Sequence, residues 1–320
     1  MHAGEAMNAV GVDVGATKIA VGVISPEGRV LRRVRRPTAR TPRELLSGII
    51  QAVLEVKDGF EVEGACVAVP GLLLAQESMI VHSPNLPAIE GIRLKSKLEP
   101  EIKLPITVEN DNSAAAWGEF RFGAGRGASD LVFVGLGTGI GGGIVLNGQL
   151  LRGAQGAAGE LGHVTIHPTG PRCACGNRGC LEALASGSAI GLRAREAASE
   201  KPNSSLGRLA AERKVLGEDV TRFACEGDEA SLSVLEESGR WLGIGLASFV
   251  NIFNPEAIVV GGGAMGAGEL ILAYARQEVR ARALPPARDL VEIREATLVP
   301  DSGVLGAAAL AKDSSRRYFL

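Results

Sequence analysis

The densest cluster of chemically active side chains is one histidine and three cysteines: His163, then Cys173-Ala-Cys175-Gly-Asn-Arg-Gly-Cys180. Imidazole and thiolate are the ligands that Zn²⁺ selects, and four of them close a tetrahedral structural site with no open position for catalysis. A free-thiol loop would place three cysteines in a glycine-rich stretch with little apolar surface to bury them. A structural zinc is therefore expected on His163, Cys173, Cys175 and Cys180, with His167 as a competing imidazole. Two acids frame the loop: Glu160 precedes His163 by three residues, and Glu182 follows Cys180 by two. Held rigidly, such acceptors suit the hydroxyls of a sugar, since a site built to hydrogen-bond an OH rejects ligands that lack it. Taken singly, each acid reads equally as a solvated charge or a helix cap.

Glu109-Asn110-Asp111-Asn112 is the second polar concentration, at the end of the apolar run that starts at Ile106. Asp111 has two readings: a base that accepts a hydroxyl proton during phosphoryl transfer, or the cap of a helix beginning near Ser113. In Asp13-Val-Gly15-Ala-Thr17-Lys18, small turn residues allow backbone N–H groups to approach phosphate, and the acid can hold Mg²⁺. An ordinary hairpin turn is the alternative. Gly137-Thr138-Gly139-Ile-Gly-Gly-Gly143 satisfies G-x-G-x-x-G but runs into a strand rather than a helix, which argues for a second phosphate-contacting hairpin and against a dinucleotide fold. Gly261-Gly262-Gly263-Ala-Met-Gly266 fits the same pattern and does precede a helix. It reads either as a Rossmann turn or as a flat backbone on which adenosine lies. No Gly-x-x-x-x-Gly-Lys-Ser/Thr string occurs, so a P-loop enzyme is not expected.

The elements that position these groups follow from periodicity. Ala9–Val23 and Leu131–Leu146 each read as strand, glycine turn, strand, which points to two domains of related architecture. Between them come a helix over Pro42–Lys57, a buried strand near Ala65–Val69, a loop rich in Pro and Gly over Pro70–Gly91, the strand from Ile106, and a helix over Asn112–Phe120. Beyond lie largely helical sequence to Val250, a strand over Glu256–Val260, a helix over Glu269–Ala283, and a small apolar run, Gly303–Lys312, expected to return as a helix onto the first domain. The 320 residues, 46% hydrophobic, suffice for more than one domain. A net charge of −2 from 34 basic and 36 acidic side chains gives no field that favours nucleic acid or a membrane. Nowhere do about 18 uncharged apolar residues run together, and the N-terminus has no basic, apolar leader, so the expectation is a cytoplasmic protein. Of the remaining cysteines, Cys66 and Cys225 are expected to fill core positions. The arginine-rich stretch Arg29–Arg43 reads as a solvated surface or a subunit contact.

In order along the chain, Asp13-Val-Gly-Ala-Thr-Lys18, Pro70-Gly71, Ser83-Pro-Asn85, Glu109-Asn-Asp111, Leu136-Gly-Thr-Gly139, Gly159-Glu-Leu-Gly-His163 and Cys173-Ala-Cys-Gly-Asn-Arg-Gly-Cys-Leu-Glu182 resemble the ROK family of bacterial sugar kinases and sugar-responsive repressors, most closely its glucokinases. The resemblance spans nearly the whole chain. It implies the α/β two-domain, actin-like (ribonuclease-H-like) sugar kinase fold with a cleft between lobes in which ATP and sugar meet. The small lobe would be residues 1–112, completed by a C-terminal helix at about 303–320, and the large lobe 113–302, with the zinc loop at 163–180. Asp111 would be the base on the sugar 6-hydroxyl, with Asn110, Glu160, His163, Glu182, Gly71 and Asn85 around the sugar. His163 would also join the three cysteines on zinc. Asp13, Gly15, Thr17 and Lys18 would surround phosphate and Mg²⁺, and Thr138, Gly139, Gly261, Gly262 and Gly263 would hold the nucleotide. A homodimer or homotetramer is implied as well. One departure is Ala68, where the family commonly shows glycine.

The function implied is phosphorylation of glucose by ATP. A kinase for N-acetylglucosamine, N-acetylmannosamine, mannose or fructose would keep the same motifs, and a polyphosphate-using relative would keep much of the cleft. A sugar-sensing repressor would need a helix-turn-helix before the first hairpin, for which residues 1–8 leave no room. A nicotinamide enzyme built on the Gly261 turn leaves Asp111 and the cysteines unexplained.

Overall fold

The computed structural model describes residues 7–311. In chain order they form β1 (Asn8–Val14), β2 (Lys18–Ile24), β3 (Val30–Pro37), α1 (Pro42–Lys57), β4 (Val62–Val69), β5 (Leu72–Leu74), β6 (Met79–His82) and α2 (Leu94–Ile102). Next come β7 (Ile106–Asn110), α3 (Asp111–Phe122), β8 (Leu131–Leu136), β9 (Ile140–Leu146), β10 (Gln149–Leu150), α4 (Leu181–Ala185) and α5 (Gly187–Glu200). The rest are α6 (Ser205–Glu212), α7 (Gly217–Cys225), α8 (Glu229–Phe253), β11 (Ala257–Gly261), α9 (Glu269–Arg282), α10 (Ala287–Leu290), β12 (Glu292–Glu295) and α11 (Ser302–Ala311). Two five-stranded sheets share one strand order, β3-β2-β1-β4-β7 and β10-β9-β8-β11-β12. In each an antiparallel hairpin edge leads into parallel strands, the repeat that the two glycine hairpins foreshadow.

The chain divides into two compact units. One takes in the chain up to Ser129, Gly143–Gly159 and the chain from Thr297 onward; the other comprises Asp130–Gly142 and Glu160–Ala296. In the first, alternation along β1 sends Val10, Val12 and Val14 to a core shared with Leu45, Ile49 and Val53 of α1. The opposite face, with Ala9, Ala20 and Ile24, packs on Val304, Leu305 and Ala308 of α11. Helix α1 starts where its sequence requires: the Thr41 hydroxyl accepts from the Glu44 N–H at 3.4 Å and donates to the Glu44 carboxylate at 2.7 Å, with Pro42 at the first helical position.

Helix α11 runs unusually close to its neighbours. A Cβ on Gly306 would lie 1.7 Å from the Ala114 carbonyl oxygen of α3, and one on Gly11 of β1 would lie 1.9 Å from the Val304 carbonyl oxygen. The expected helix over Gly303–Lys312 is thus present up to Ala311; its continuation toward 320 lies outside the described residues. The segment entering α11 is held by Glu119 of α3, which is fully buried. Its carboxylate accepts from the N–H groups of Leu298 (2.9 Å), Ala124 (2.9 Å) and Thr297 (3.2 Å), and from the hydroxyls of Ser302 (2.8 Å) and Thr297 (3.4 Å).

One expectation is corrected. Cys66 is buried in β4, but Cys225 is exposed at the C-terminal end of α7, where the short helix offers the core only its other face. The arginine-rich stretch is in line with a solvated surface: Arg32, Arg33, Arg35 and Arg36 lie on the mostly exposed edge strand β3, with partners along it. Arg33 and Arg35 pair with Asp301 at 2.9 and 3.1 Å, Arg36 pairs with Glu55, and Arg32 donates to the Asp58 carbonyl at 2.7 Å. Charge along an edge strand also opposes pairing with another sheet.

Glu119→Ala removes the acceptor for five donors at once, the buried Ser302 hydroxyl among them, and is expected to cost about 3–5 kcal/mol of stability, read as a lower midpoint in urea or thermal unfolding.

Candidate active site and metal centre

In the first unit, Asp111 opens α3 directly after β7. Asn110 is the cap: its side-chain oxygen accepts from the N–H groups of Asn112 (2.9 Å) and Ser113 (3.0 Å). The capping role weighed for Asp111 therefore belongs to its neighbour, which leaves the Asp111 carboxylate for other work. It accepts from the Asn112 backbone and side chain at 2.9 and 3.0 Å. Burial pushes its carboxyl above the ordinary range, and the bonds from Asn112 partly offset this. Asp13, at the end of β1, is pushed up to about 7, first by burial and then by the charge of Asp111, with Lys18 pulling the other way. The two carboxylates form one electrostatic pair. Gly303 brings the start of α11 against Asp13, since a Cβ there would lie 2.9 Å from its carboxylate.

The turn after Asp13 is tight and tied down. Gly15 N–H donates to Lys18 O at 2.9 Å, and the Thr38 hydroxyl donates to Gly15 O at 2.7 Å. Thr17 and Lys18 are exposed. Gly71 has φ +110°, and a Cβ there would meet the His82 carbonyl oxygen at 2.3 Å, so the chain at 71 and at 82–83 approaches in a way only glycine permits. The Asn110 side-chain amide donates to Gly71 O at 3.3 Å, which joins this loop to the start of α3. Asn85 is exposed in the following turn. Ala68 is buried in β4, in register with Asp13 on one side and Glu109 on the other, so its methyl belongs to the row that carries the acids.

Sequence patterns do not reveal one partner of this site. Glu109, 3% exposed, is paired with Arg152 at 2.7 Å, and its other oxygen accepts from the Asn110 N–H at 3.2 Å. A buried ion pair thus stands directly behind Asn110 and Asp111. Arg152 follows β10 with nothing local to mark it.

In the second unit, ligand atoms of His163, Cys173, Cys175 and Cys180 lie within 4.8 Å of one another. The Cys173 sulfur is 3.7 Å from His163 Nδ1, and the Cys175 and Cys180 sulfurs are 3.7 Å apart. Ligands at about 2.0–2.3 Å from a tetrahedral zinc are separated by about 3.5–3.8 Å, so the four residues fit the ion. Burial pushes Cys173 up to about 12 and raises Cys180, while the Asn177 N–H lowers Cys175. The thiols therefore need a cation to ionise together. His167 is not part of the group: its ring stacks on Trp241 with centroids 5.3 Å apart. His163 presents Nδ1 to the thiols and Nε2 toward the exposed Glu160, at 3.9 Å.

The Gly137–Gly139 turn joins β8 to β9, with Thr138 exposed. The Glu182 carboxylate accepts from the Ile140 N–H at 2.9 Å. After β11, Gly262 has φ +99°, and a Cβ there would meet the Leu136 carbonyl oxygen at 2.3 Å, whereas Gly263 faces open space. No helix among the described residues is long and apolar enough to cross a membrane.

The sequence pattern of the ROK family matches residues 9–314. The chain is 36% identical over 307 residues to a glucokinase of Thermotoga maritima, covering 95% of this chain and 97% of that one. It is 38% identical over 312 residues to a glucokinase of Halalkalibacterium halodurans, covering 95% and 94%. Among solved structures, the ROK family glucokinase from Streptomyces griseus in complex with glucose and AMPPNP aligns with a TM-score of 0.84 at 36% identity, over 95% of this chain and 99% of that one. The fold is the actin-like sugar kinase fold, and the chain belongs to the ROK family.

Proposed function

We propose that this protein is a glucokinase that transfers the γ-phosphoryl group of ATP to the 6-hydroxyl of glucose, with Asp111 as general base. The observation that carries the reading is the β7–α3 junction. There Asn110 does the capping, and the Asp111 carboxylate is held beside Asp13 with a basicity raised by burial. The similarity to glucokinases, one of them bound to glucose and an ATP analogue, supports the choice of substrates.

Asp111 accepts the proton of the 6-hydroxyl as that oxygen bonds to the γ-phosphorus and the bond to the leaving ADP oxygen breaks. Asn110, Gly71 and Asn85 orient the sugar from the first unit; Glu160, His163 and Glu182 accept or donate to its hydroxyls from the second. In the first unit, Asp13, Gly15, Thr17 and Lys18 receive phosphate. In the second, Thr138, Gly139 and the Gly261–Gly263 turn receive the nucleotide. Asp13 would hold Mg²⁺, which when bound neutralises phosphate charge. His163 and the three cysteines would hold zinc, which supplies a structural cross-link. With Nδ1 on the metal side, His163 keeps Nε2 for the sugar. The reading places the protein in the cytoplasm, as a homodimer or homotetramer; the five free cysteines suit a reducing compartment.

An ADP-release assay with Mg-ATP should show glucose preferred over mannose, fructose, N-acetylglucosamine and N-acetylmannosamine. Preference for an N-acetyl sugar would change the sugar named while leaving phosphoryl transfer in place, and no turnover with any of them would sink the kinase reading. Asp111→Asn should lower kcat by about 10²–10⁴-fold with little change in the KM for glucose. Metal analysis should find one zinc per chain, lost on Cys175→Ser.

The Asp13 carboxyl, ordinarily at 3.8 but about 7 in the fold, keeps its proton between those values while the unfolded chain releases it. Stability contributed by the protonated group is therefore lost as pH rises through that window. Without ligands, Asp13→Asn should melt several degrees above the parent protein at pH 8. The gap should close toward pH 4, and a gap independent of pH would count against the assigned proton.

A further inference from the structure

We propose that Glu182 is a positioning residue that couples the zinc loop to the Gly137–Ile140 turn, so that filling the metal site sets the shape of the turn that receives the nucleotide. The proposal rests on the assignment of Thr138 and Gly139 to the nucleotide made above.

The segment from Cys180 to Ser188 begins at a metal ligand and ends on that turn. At its start, Leu181 N–H donates to Val164 O at 2.9 Å, beside His163. One residue on, the Glu182 carboxylate reaches both sites. Its Oε1 lies 3.6 Å from the Cys173 sulfur, and its Oε2 accepts from the Ile140 N–H at 2.9 Å. The approach is close enough that a Cβ on Gly139 would stand 2.2 Å from Oε2. At the end of the segment, Gly187 N–H donates to Gly137 O at 2.9 Å and Ser188 N–H to Thr138 O at 3.3 Å. The turn is thus gripped on its N–H side by a carboxylate and on its carbonyl side by the first turn of α5.

The far end of α4 is fixed. Arg193, largely buried, donates to Leu184 O at 2.6 Å and to the Ser238 hydroxyl at 2.9 Å, and pairs with Glu237 at 2.9 Å, which anchors α4 to α8. With that end immobile, displacement of Cys180 on metal loss falls on the end that carries Glu182. A carboxylate has about four lone-pair directions, so the bond to Ile140 leaves capacity for the sugar hydroxyl assigned to Glu182. One side chain therefore serves the sugar directly and the nucleotide through the turn.

The test uses the full chain in three forms: Glu182→Ala, Glu182→Gln, and the parent protein stripped of zinc. Binding of Mg-AMPPNP without sugar is measured by calorimetry, amide exchange of the 137–142 peptide by mass spectrometry, and bound zinc by metal analysis. Glu182→Ala should keep its zinc, bind Mg-AMPPNP about tenfold more weakly and exchange faster in that peptide. Glu182→Gln, whose amide oxygen still accepts from Ile140, should stay close to the parent in both. The stripped protein should reproduce the loss seen with alanine. The proposal is overturned if alanine and zinc removal leave both nucleotide affinity and exchange unchanged. It is also overturned if Glu182→Ala loses its zinc, since the carboxylate would then serve the metal rather than the turn. If the parent protein binds glucose but not Mg-AMPPNP, the nucleotide assignment itself fails and takes the coupling with it.

Discussion

The first unit depends on how closely α11 can lie on α3 and β1. Side chains larger than hydrogen at Gly306 or Gly11 would drive carbon into a neighbouring carbonyl oxygen, so the contact exists only because those positions are glycine. The approach holds α3 in place, and α3, capped by Asn110, begins with Asp111. It also brings Gly303 against the Asp13 carboxylate. Glu119 completes the arrangement by accepting from the donors of the chain that enters α11, of which the buried Ser302 hydroxyl has least access to water. Backbone packing and one buried carboxylate thus set the position of the chemistry, although neither touches it.

That position is electrostatically costly. Burial raises both Asp13 and Asp111, and for Asp13 the charge of Asp111 adds to this while Lys18 offsets it only in part. In the proposed reaction the same tension is useful. A base with raised proton affinity faces a hydroxyl, and a crowded pair of carboxylates gains from cationic partners that accompany phosphate. The Glu109–Arg152 pair stands behind Asn110, with the second Glu109 oxygen on the Asn110 N–H, and so braces the peptide next to Asp111.

In the second unit the organising feature is a loop too poor in apolar side chains to pack by itself. Its three thiols and one imidazole converge to distances that a single tetrahedral ion closes, and the thiols resist ionising together without one. Two residues beyond that loop is Glu182, and hydrogen bonds from Glu182 and the start of α5 reach the Gly137–Ile140 turn. The cysteine loop and the glycine turn, distant in sequence, are joined through Glu182 and the start of α5 by hydrogen bonds, which gives the proposed coupling a physical route.

Sequence alone determined the local features: the two glycine hairpins, the helix from Pro42, the strand before Asp111 and the three clustered cysteines. Each depends on residues close in the chain, whose periodicity and ligand type are visible without coordinates. Tertiary structure decided what depends on distant partners. His163 and His167 are both near the cysteines in sequence, but stacking on Trp241 removes the second from contention. The arginines of β3 are solvent-facing charge, as they read, but their partners Asp301 and Glu55 come from other segments of the chain. Cys225 sits in a helical pattern whose buried face only packing could choose. Glu119 reads as one more helical acid, because the backbone N–H groups it serves at Thr297 and Leu298 lie 178 and 179 residues away. Backbone N–H groups carry no side-chain signature, and for that reason their buried acceptor could be found only in the folded chain.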